Sequence, residues 1–327
     1  MIYYFCPDHD VPSWGVGMLY YHVHFLSKNN FEVCILHSKR NFKLSWLNLN
    51  VPIKYIQDSV CPRHNDILVV PEFYISDKIV RQFKCRKLLF VQNSFILFER
   101  ISPKEMNNLG YEAVLYYMPH LQKVLTTYFN GPIYEIPPFI ADYYYKDEDS
   151  LHNRKKSIII YPKTENRDFN ILEKFLESDY TKKSFLIGLI SSEKQKQKWE
   201  IVVLKNLSHQ KVAKLMQQAT FFINLNTHEA FNSSVPEAMA AGCINFTYDA
   251  FGPSDFLINN KNAFVFNNNH IFPLYESLQF YINKYDDAEV IEELTKIRNA
   301  GFQTAKSYVS GLAEIAIANV FKKLISL

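Results

Sequence analysis

The sequence predicts an α/β protein built from two parallel-sheet units. Three observations carry this expectation: the length, an alternation of short β-branched runs with amphipathic segments, and a polar interruption near the middle. At 327 residues the chain is longer than one core usually grows before dividing, ordinary domains being about 150 residues. Runs rich in Val, Ile, Tyr and Phe recur in the first half as IYYFC, FEVCILH, IKYI, DILVVPEF, KLLFVQN, EAVLYY and PIYEIP. Between the first two, GVGMLYYHVHFLSK sets Met18, Leu19, Val23, Phe25 and Leu26 at roughly helical spacing, so a helix is expected to open straight after Gly15 and Gly17. Strand, helix and strand in succession make a parallel sheet with helices on its faces.

The interruption is ADYYYKDEDSLHNRKK, Ala141 to Lys156, which reads as a linker between compact units. The alternation then resumes with SIIIYP, a helix around Asn170 to Glu177, FLIGLI, IVVL, a helix from Ser208 to Gln217, TFFINLN, a helix from Pro236 to Ala241, CINFTY and NAFVF. Three helical segments follow, Leu274 to Tyr281, Ala288 to Ala300 and Gly311 to Leu324, with apolar residues at i, i+3 and i+4. The expected division is a first domain at 1–150, a second at 151–308 and a terminal helix at 309–327.

Charge and cysteines narrow the function classes. Thirty-six basic residues against 33 acidic leave a formal charge of +3, too balanced to point to a polyanion, so no nucleic-acid partner is expected. Five scattered cysteines, Cys6, Cys34, Cys61, Cys85 and Cys243, form no CxxC pair and indicate neither a disulfide framework nor a zinc site. MIYYFCP lacks a basic stretch followed by an apolar one, and no run reaches the roughly 18 apolar residues that span a bilayer. A cytoplasmic protein is expected, and its many Lys and aromatic residues leave peripheral contact with the inner face of a membrane open.

The segment that carries chemistry is TFFINLNTHEAFNSSVPEAMAAG, Thr220 to Gly242, where an apolar strand breaks into a polar loop that runs into a helix of small residues. Ser233 and Ser234 can cap that helix, Pro236 sits where a missing N–H is tolerated, and Glu237 suits the positive end of the dipole. Exposed N–H groups at such an end make an anion seat. Glu229 and Glu237 flank it, and carboxylates accept paired hydrogen bonds from vicinal sugar hydroxyls. An acidic residue in a first helical turn is, taken alone, an ordinary dipole partner.

The longer segment HEAFNSSVPEAMAAGCINFTYDAFGPSDFL resembles the retaining glycosyltransferases of the GT-B fold, family 4 and its close relatives. Their pattern is roughly E-G-F-G-x-x-x-x-E-A-M-A-x-G followed by a G-G-x-x-E turn. Glu229, Phe231, Glu237, Ala238, Met239, Ala240 and Gly242 match it in register. The resemblance implies two Rossmann-like domains whose parallel sheets face each other across a cleft, with the C-terminal helix crossing back to the first domain. It further implies that Glu229 lies against the donor sugar, Glu237 holds the nucleotide ribose, and the backbone of Asn232, Ser233, Ser234 and Val235 holds the diphosphate. Ala230 and Asn232 replace two glycines of the family loop, Phe251 replaces one of the later pair, and Asp255 stands where glutamate is usual.

A second patch, SIIIYPKTENRDFNILEKF, is similar to the family's strand, loop and helix in which two basic residues grip the donor diphosphate, and Lys163 and Arg167 take those places. Two such cations would steady a departing diphosphate; scattered charge on a solvated loop is the plainer reading of them alone. In the first domain, Gly15 and Gly17 match the glycine-rich turn that approaches phosphate or acceptor. The VVPE run and the Gln92–Asn93 pair resemble a bacterial subset, which places Gln92 and Asn93 in the cleft, and His120 is the candidate for a histidine carried by many relatives. Together these imply transfer of a sugar from a nucleotide-diphosphate-sugar donor to a hydroxyl of a glycan, glycolipid or other acceptor, a bacterial surface glycan or glycolipid being the expected class, with retained anomeric configuration and neither metal nor further cofactor. The rivals are an epimerase or phosphorylase of the same architecture, and a silent sugar-nucleotide-binding protein.

Overall fold

The computed structural model describes residues 1–146, 150–162, 167–179, 189–191, 199–205, 207–250 and 255–326. The chain divides into two compact units, Met1–Phe139 with Ser310–Leu327, and Ile140–Val309.

In the first unit, β1 (Ile2–Phe5), α1 (Trp14–Lys28), β2 (Val33–His37), β3 (Ile53–Tyr55), β4 (Ile67–Pro71), α2 (Lys78–Gln82), β5 (Arg86–Val91), α3 (Ser94–Arg100), β6 (Ala113–Tyr116), α4 (Pro119–Tyr128) and β7 (Ile133–Glu135) follow in order. The strands form one parallel sheet ordered β3-β2-β1-β4-β5-β6-β7, with Tyr4 paired to Ile35 on one side and Val69 on the other. Burial on both faces explains the unbroken apolar runs ILVVP and VCILH, every residue of which is buried.

α1 starts at Trp14, one turn earlier than the sequence suggested. Gly15 and Gly17 therefore lie within its first turn rather than in a loop before it. Hydrophobic spacing begins only at Met18, because the two glycines of the first turn, Gly15 and Gly17, have no side chains to carry a periodic signal.

The second unit runs through β8 (Lys155–Ile160), α5 (Arg167–Asp179), β9 (Leu189–Ser191), β10 (Glu200–Val203), α6 (His209–Met216), β11 (Ala219–Asn224), α7 (Ser234–Ala240), β12 (Ile244–Tyr248), β13 (Phe264–Phe266), α8 (Ile271–Asn283) and α9 (Ala288–Ala305). Its sheet is ordered β13-β12-β11-β8-β10-β9, parallel except for β9, which runs antiparallel to β10. The ring of Trp199 stacks on Phe221 with centroids 5.0 Å apart and meets Tyr285 edge-on at 5.0 Å, anchoring the core beneath β8 and β11.

The boundary falls earlier than the expected 150/151. The polar stretch is not a linker: Tyr144 is 1% exposed, and Leu151 belongs to the second unit's core. Ile140 pairs with Val309 in a parallel bridge and donates its N–H to the Tyr308 carbonyl at 2.8 Å. The last helix, α10 (Ser310–Ile325), belongs to the first unit. Phe321 meets Tyr4 at 6.2 Å, and the Glu314 carboxylate accepts from Lys28 Nζ at 3.2 Å and Asn29 Nδ2 at 3.0 Å.

Candidate functional site

In a doubly wound sheet, ligands gather outside the carboxyl ends of the strands where the order reverses. The second sheet reverses between β8 and β11: the chain leaves β8 toward β10 and then returns to β11 on the other side. Tyr161 follows β8 directly, and the loop from Leu225 to Ser233 follows β11, so the segment singled out by sequence sits at the reversal. Tyr161 donates its N–H to the Ile223 carbonyl at 3.3 Å, closing the two strand ends together.

The loop is built around buried amides. Asn224, fully buried at the end of β11, donates from Nδ2 to Asn232 Oδ1 at 3.0 Å and to Ser234 Oγ at 2.7 Å. Its Oδ1 accepts from Asn232 Nδ2 at 3.1 Å and from the Asn226 N–H at 2.9 Å. Asn232 has φ 49°, the left-handed region that glycine tolerates freely and asparagine better than most other residues. Here asparagine replaces a glycine of the resembled pattern and adds three side-chain hydrogen bonds. Ala230 has no positive φ and is buried, so its Cβ meets no backbone strain.

α7 begins at Ser234, two residues before the expected Pro236, and ends at Ala240. Ser233 is its N-cap residue but makes no side-chain cap bond, and the Ser234 hydroxyl donates sideways to Asn232 Oδ1 at 3.0 Å. The expected serine caps are thus replaced by the asparagine network. The Val235 N–H donates to the Asn232 carbonyl at 3.0 Å and is committed within the turn.

At the other end of α7, Gly242 has φ 80°, and its N–H reaches the Met239 carbonyl at 3.0 Å while that of Cys243 reaches Ala238 at 2.8 Å. Arg154, buried, donates to the carbonyls of Ala219 at 2.7 Å, Met216 at 2.7 Å and Ala241 at 3.0 Å. Its positive charge suits a helix C-terminus, so an arginine of the supposed linker fixes the far end of this helix.

Glu237 lies in the first turn of α7, 7% exposed, and Glu229 is half-buried in the loop. Their charges meet at Tyr161: burial raises the pKa of its hydroxyl, and Glu237 and then Glu229 raise it further. Tyr144 hydrogen-bonds the Glu237 carboxylate from the connecting segment, and burial first, then that carboxylate, push its pKa well up. Both hydroxyls therefore keep their protons and can act as donors. Phe231 packs beneath the loop against Tyr308 at 5.1 Å and Phe256 at 6.0 Å, which gives that motif position a packing role.

The first unit gathers polar groups at its own reversal, between β1 and β4. A Cβ at Gly15 would meet Gln92 Oε1 at 2.7 Å, so the Gln92 amide lies directly against the first turn of α1. Glu72, just past β4 and 4% exposed, accepts the Asn93 N–H on Oε1 at 2.9 Å. Asn93 caps α3 by accepting the Phe95 N–H at 2.9 Å. Burial pushes the Glu72 carboxyl up to about 7, against the lowering effect of backbone amides and, last, Arg100.

The structure thus brings Glu229 and Glu237 around Tyr161, joins Asn232 to Ser234, and sets Gly15 against Gln92 with Asn93 on Glu72. Gly17 packs instead beside Trp46, His120 sits in the first turn of α4, and Arg167 opens α5 in an exposed position. Lys163 and Phe251 lie outside the described residues. Sequence reasoning missed Glu72, Tyr144, Arg154 and Tyr161, and it missed the buried His37, which bridges the Tyr20 hydroxyl at 2.8 Å and Asp8 at 3.0 Å. Only Tyr161 and Glu72 had a usable signal, as polar residues directly at the ends of apolar strands. Among the described residues, no three or more His, Cys, Asp or Glu side chains cluster as metal ligands, and no helix is long and apolar enough to cross a membrane.

Residues 188–300 match the family glycosyl transferases group 1. No curated protein matches the sequence. Among solved structures, the sucrose-phosphate synthase of Thermosynechococcus elongatus is similar at 10% identity and a TM-score of 0.67, covering 99% of each chain. A glycosyltransferase from Rickettsia africae gives 12% identity and 0.63, covering 99% of this chain and 98% of its own. Anabaena HepE, solved in complex with UDP-glucose, gives 10% and 0.66 over 99% and 100%. At these identities the likeness is one of fold, and the fold is that of the GT-B glycosyltransferases.

Proposed function

Taking residues 188–300 as a glycosyl transferases group 1 segment on a GT-B fold, we propose that the chain transfers a sugar from a nucleotide-diphosphate-sugar donor to an acceptor hydroxyl with retained configuration. One observation carries the reading: Glu229, in the loop after β11, and Glu237, in the first turn of α7, stand at the reversal of the second sheet, near enough to Tyr161 for both charges to raise its pKa. Paired carboxylates at that place suit the vicinal hydroxyls of the donor's ribose and sugar. HepE's complex with UDP-glucose supports a donor of the nucleoside-diphosphate class, with UDP-glucose first among those to try.

In this mechanism Glu237 holds the ribose and Glu229 lies against the transferred sugar, with the turn Asn232, Ser233, Ser234 at the diphosphate. Lys163 and Arg167 supply the positive charge that stabilises the departing diphosphate. The leaving phosphate takes the proton of the attacking hydroxyl on the same face of the sugar, so no protein nucleophile and no metal is required. Acceptor recognition is assigned to the first unit, through Gln92, Asn93 and the start of α1 at Gly15. The acceptor class proposed is a surface glycan or glycolipid.

A thermal-shift panel of UDP-, GDP-, TDP- and ADP-sugars tests the donor. A ligand at a hundred times its dissociation constant stabilises the native state by about 2.7 kcal/mol; silence across the panel would sink the reading. Product anomeric configuration by NMR, with and without chelator, tests retention and metal independence. Inverted product, or activity lost in chelator and restored by Mn²⁺, contradicts them.

A further inference from the structure

The segment joining the two units begins with ADYYYK, and its central tyrosine is tied down more firmly than a connection requires. Asp142–Tyr144 forms a single 3-10 turn, and Tyr144 is 1% exposed. Around it, Gln217 Nε2 donates to the Tyr143 carbonyl at 2.9 Å and the Tyr144 carbonyl at 3.3 Å. The Lys146 N–H donates to Ala240 at the end of α7 at 3.2 Å, and its Nζ to the Gln217 carbonyl at 3.1 Å. The Tyr145 hydroxyl donates to the Ala305 carbonyl at 2.7 Å. Backbone and neighbours on both sides are thereby fixed, which leaves the Tyr144 ring in one place with its hydroxyl on Glu237.

A glutamate has three side-chain torsions, and a carboxylate free to turn about them meets a ribose only part of the time. A fixed donor on one oxygen selects a single arrangement before the ligand arrives, and so reduces the ordering that binding must supply. We infer that Tyr144 is a positioning residue of the donor site, holding the Glu237 carboxylate in the orientation that receives the nucleotide's ribose hydroxyls. The inference rests on the reading of Glu237 as the ribose ligand. It makes the connecting segment part of the nucleotide site. Tyr161, whose hydroxyl feels the same carboxylate together with Glu229, stands just past β8.

The test is calorimetric binding of UDP, GDP and ADP, and of TDP, to the full chain, repeated with the 2′,3′-dideoxy form of whichever binds best. Wild type should lose about tenfold or more on removal of the ribose hydroxyls, one charge-assisted bond being of that order. Tyr144→Phe keeps the ring and should weaken the ordinary nucleotide about tenfold while leaving the dideoxy form unchanged, because the two deletions remove one coupled interaction. In turnover, KM for the donor should rise with kcat nearly constant. Tyr143→Phe, the same change one residue away on a side chain 38% exposed, should alter neither. Encoding p-aminophenylalanine at position 144 restores a donor and should restore the affinity; it reads the same point should Tyr144→Phe not fold.

Equal loss for the ordinary and dideoxy nucleotides in Tyr144→Phe, or wild-type affinity for both, overturns the inference and leaves the donor site standing. Failure of wild type to bind any of the three nucleotides or TDP overturns the donor-site reading and this inference together.

Discussion

Replacing Glu72 by glutamine should change how the stability of the first unit depends on pH. The carboxyl is 4% exposed, and burial holds its proton to a pH of about 7, against an ordinary 4.5. Between those values the unfolded chain has released this proton and the folded one has not. The unfolded state therefore binds fewer protons, and stability falls as pH rises through the window. At 1.36 kcal/mol per pKa unit, the full span corresponds to a loss of about 3 kcal/mol. Glu72→Gln keeps an oxygen for the Asn93 N–H, which Glu72 accepts at 2.9 Å, but has no proton to release. Its stability should be similar to wild type at pH 4.5 and higher by up to about 3 kcal/mol at pH 8, equivalent to roughly 6 to 12 °C in melting temperature for a domain of this size. Urea titrations of both proteins from pH 4.5 to 8 measure the difference. Parallel stability curves would refute the assignment, since every other titrating group is common to both.

Gly242→Ala should destabilise the second unit by about 2 to 4 kcal/mol: the residue has φ 80°, and its Cβ would lie 2.8 Å from Arg154 Nη1, disturbing a buried guanidinium with charge-assisted bonds. Thermal melting checks it, and a shift under about 1 °C would contradict it. Asn232→Ala should lose about 1 to 3 kcal/mol by giving up the hydrogen bonds to Asn224 and Ser234 in a left-handed position, whereas Asn232→Gly, which relieves the backbone, should lose less; equal losses would mean that the conformation is immaterial. Glu229→Ala should reduce transfer at least a hundredfold with nucleotide binding nearly unchanged, as measured by labelled-sugar transfer and calorimetry; full activity would remove Glu229 from the reaction.

Much of the architecture was legible because buried parallel strands write themselves as unbroken apolar runs, as in SIIIY and ILVVP. The loop after β11 was legible for a different reason: Glu229, Phe231 and Glu237 stand at fixed distances around a strand end and a helix start. Even there the local chemistry differed. Ser233 was expected to cap α7, but Asn224, seen only as part of a strand, organises the loop through Asn232. Elements held by tertiary contacts left no periodic trace. The polar text around Tyr144 and Arg154 reads as a linker because charge and tyrosine predominate there, yet both side chains are buried against carbonyls or a carboxylate that lie far away in sequence. Glu72 showed only its place at the end of an apolar strand, since nothing in VVPEF tells that its carboxyl turns inward to the Asn93 amide.

The central claim is that Glu237, in the first turn of α7, holds the nucleotide of a sugar donor. Isothermal titration of wild type and Glu237→Gln with the best nucleotide sugar from the panel tests it most directly. The account predicts saturable one-to-one binding to wild type and affinity weaker by at least tenfold in the variant, at an unchanged melting temperature to within a few degrees. Equal affinity in the two proteins would contradict it.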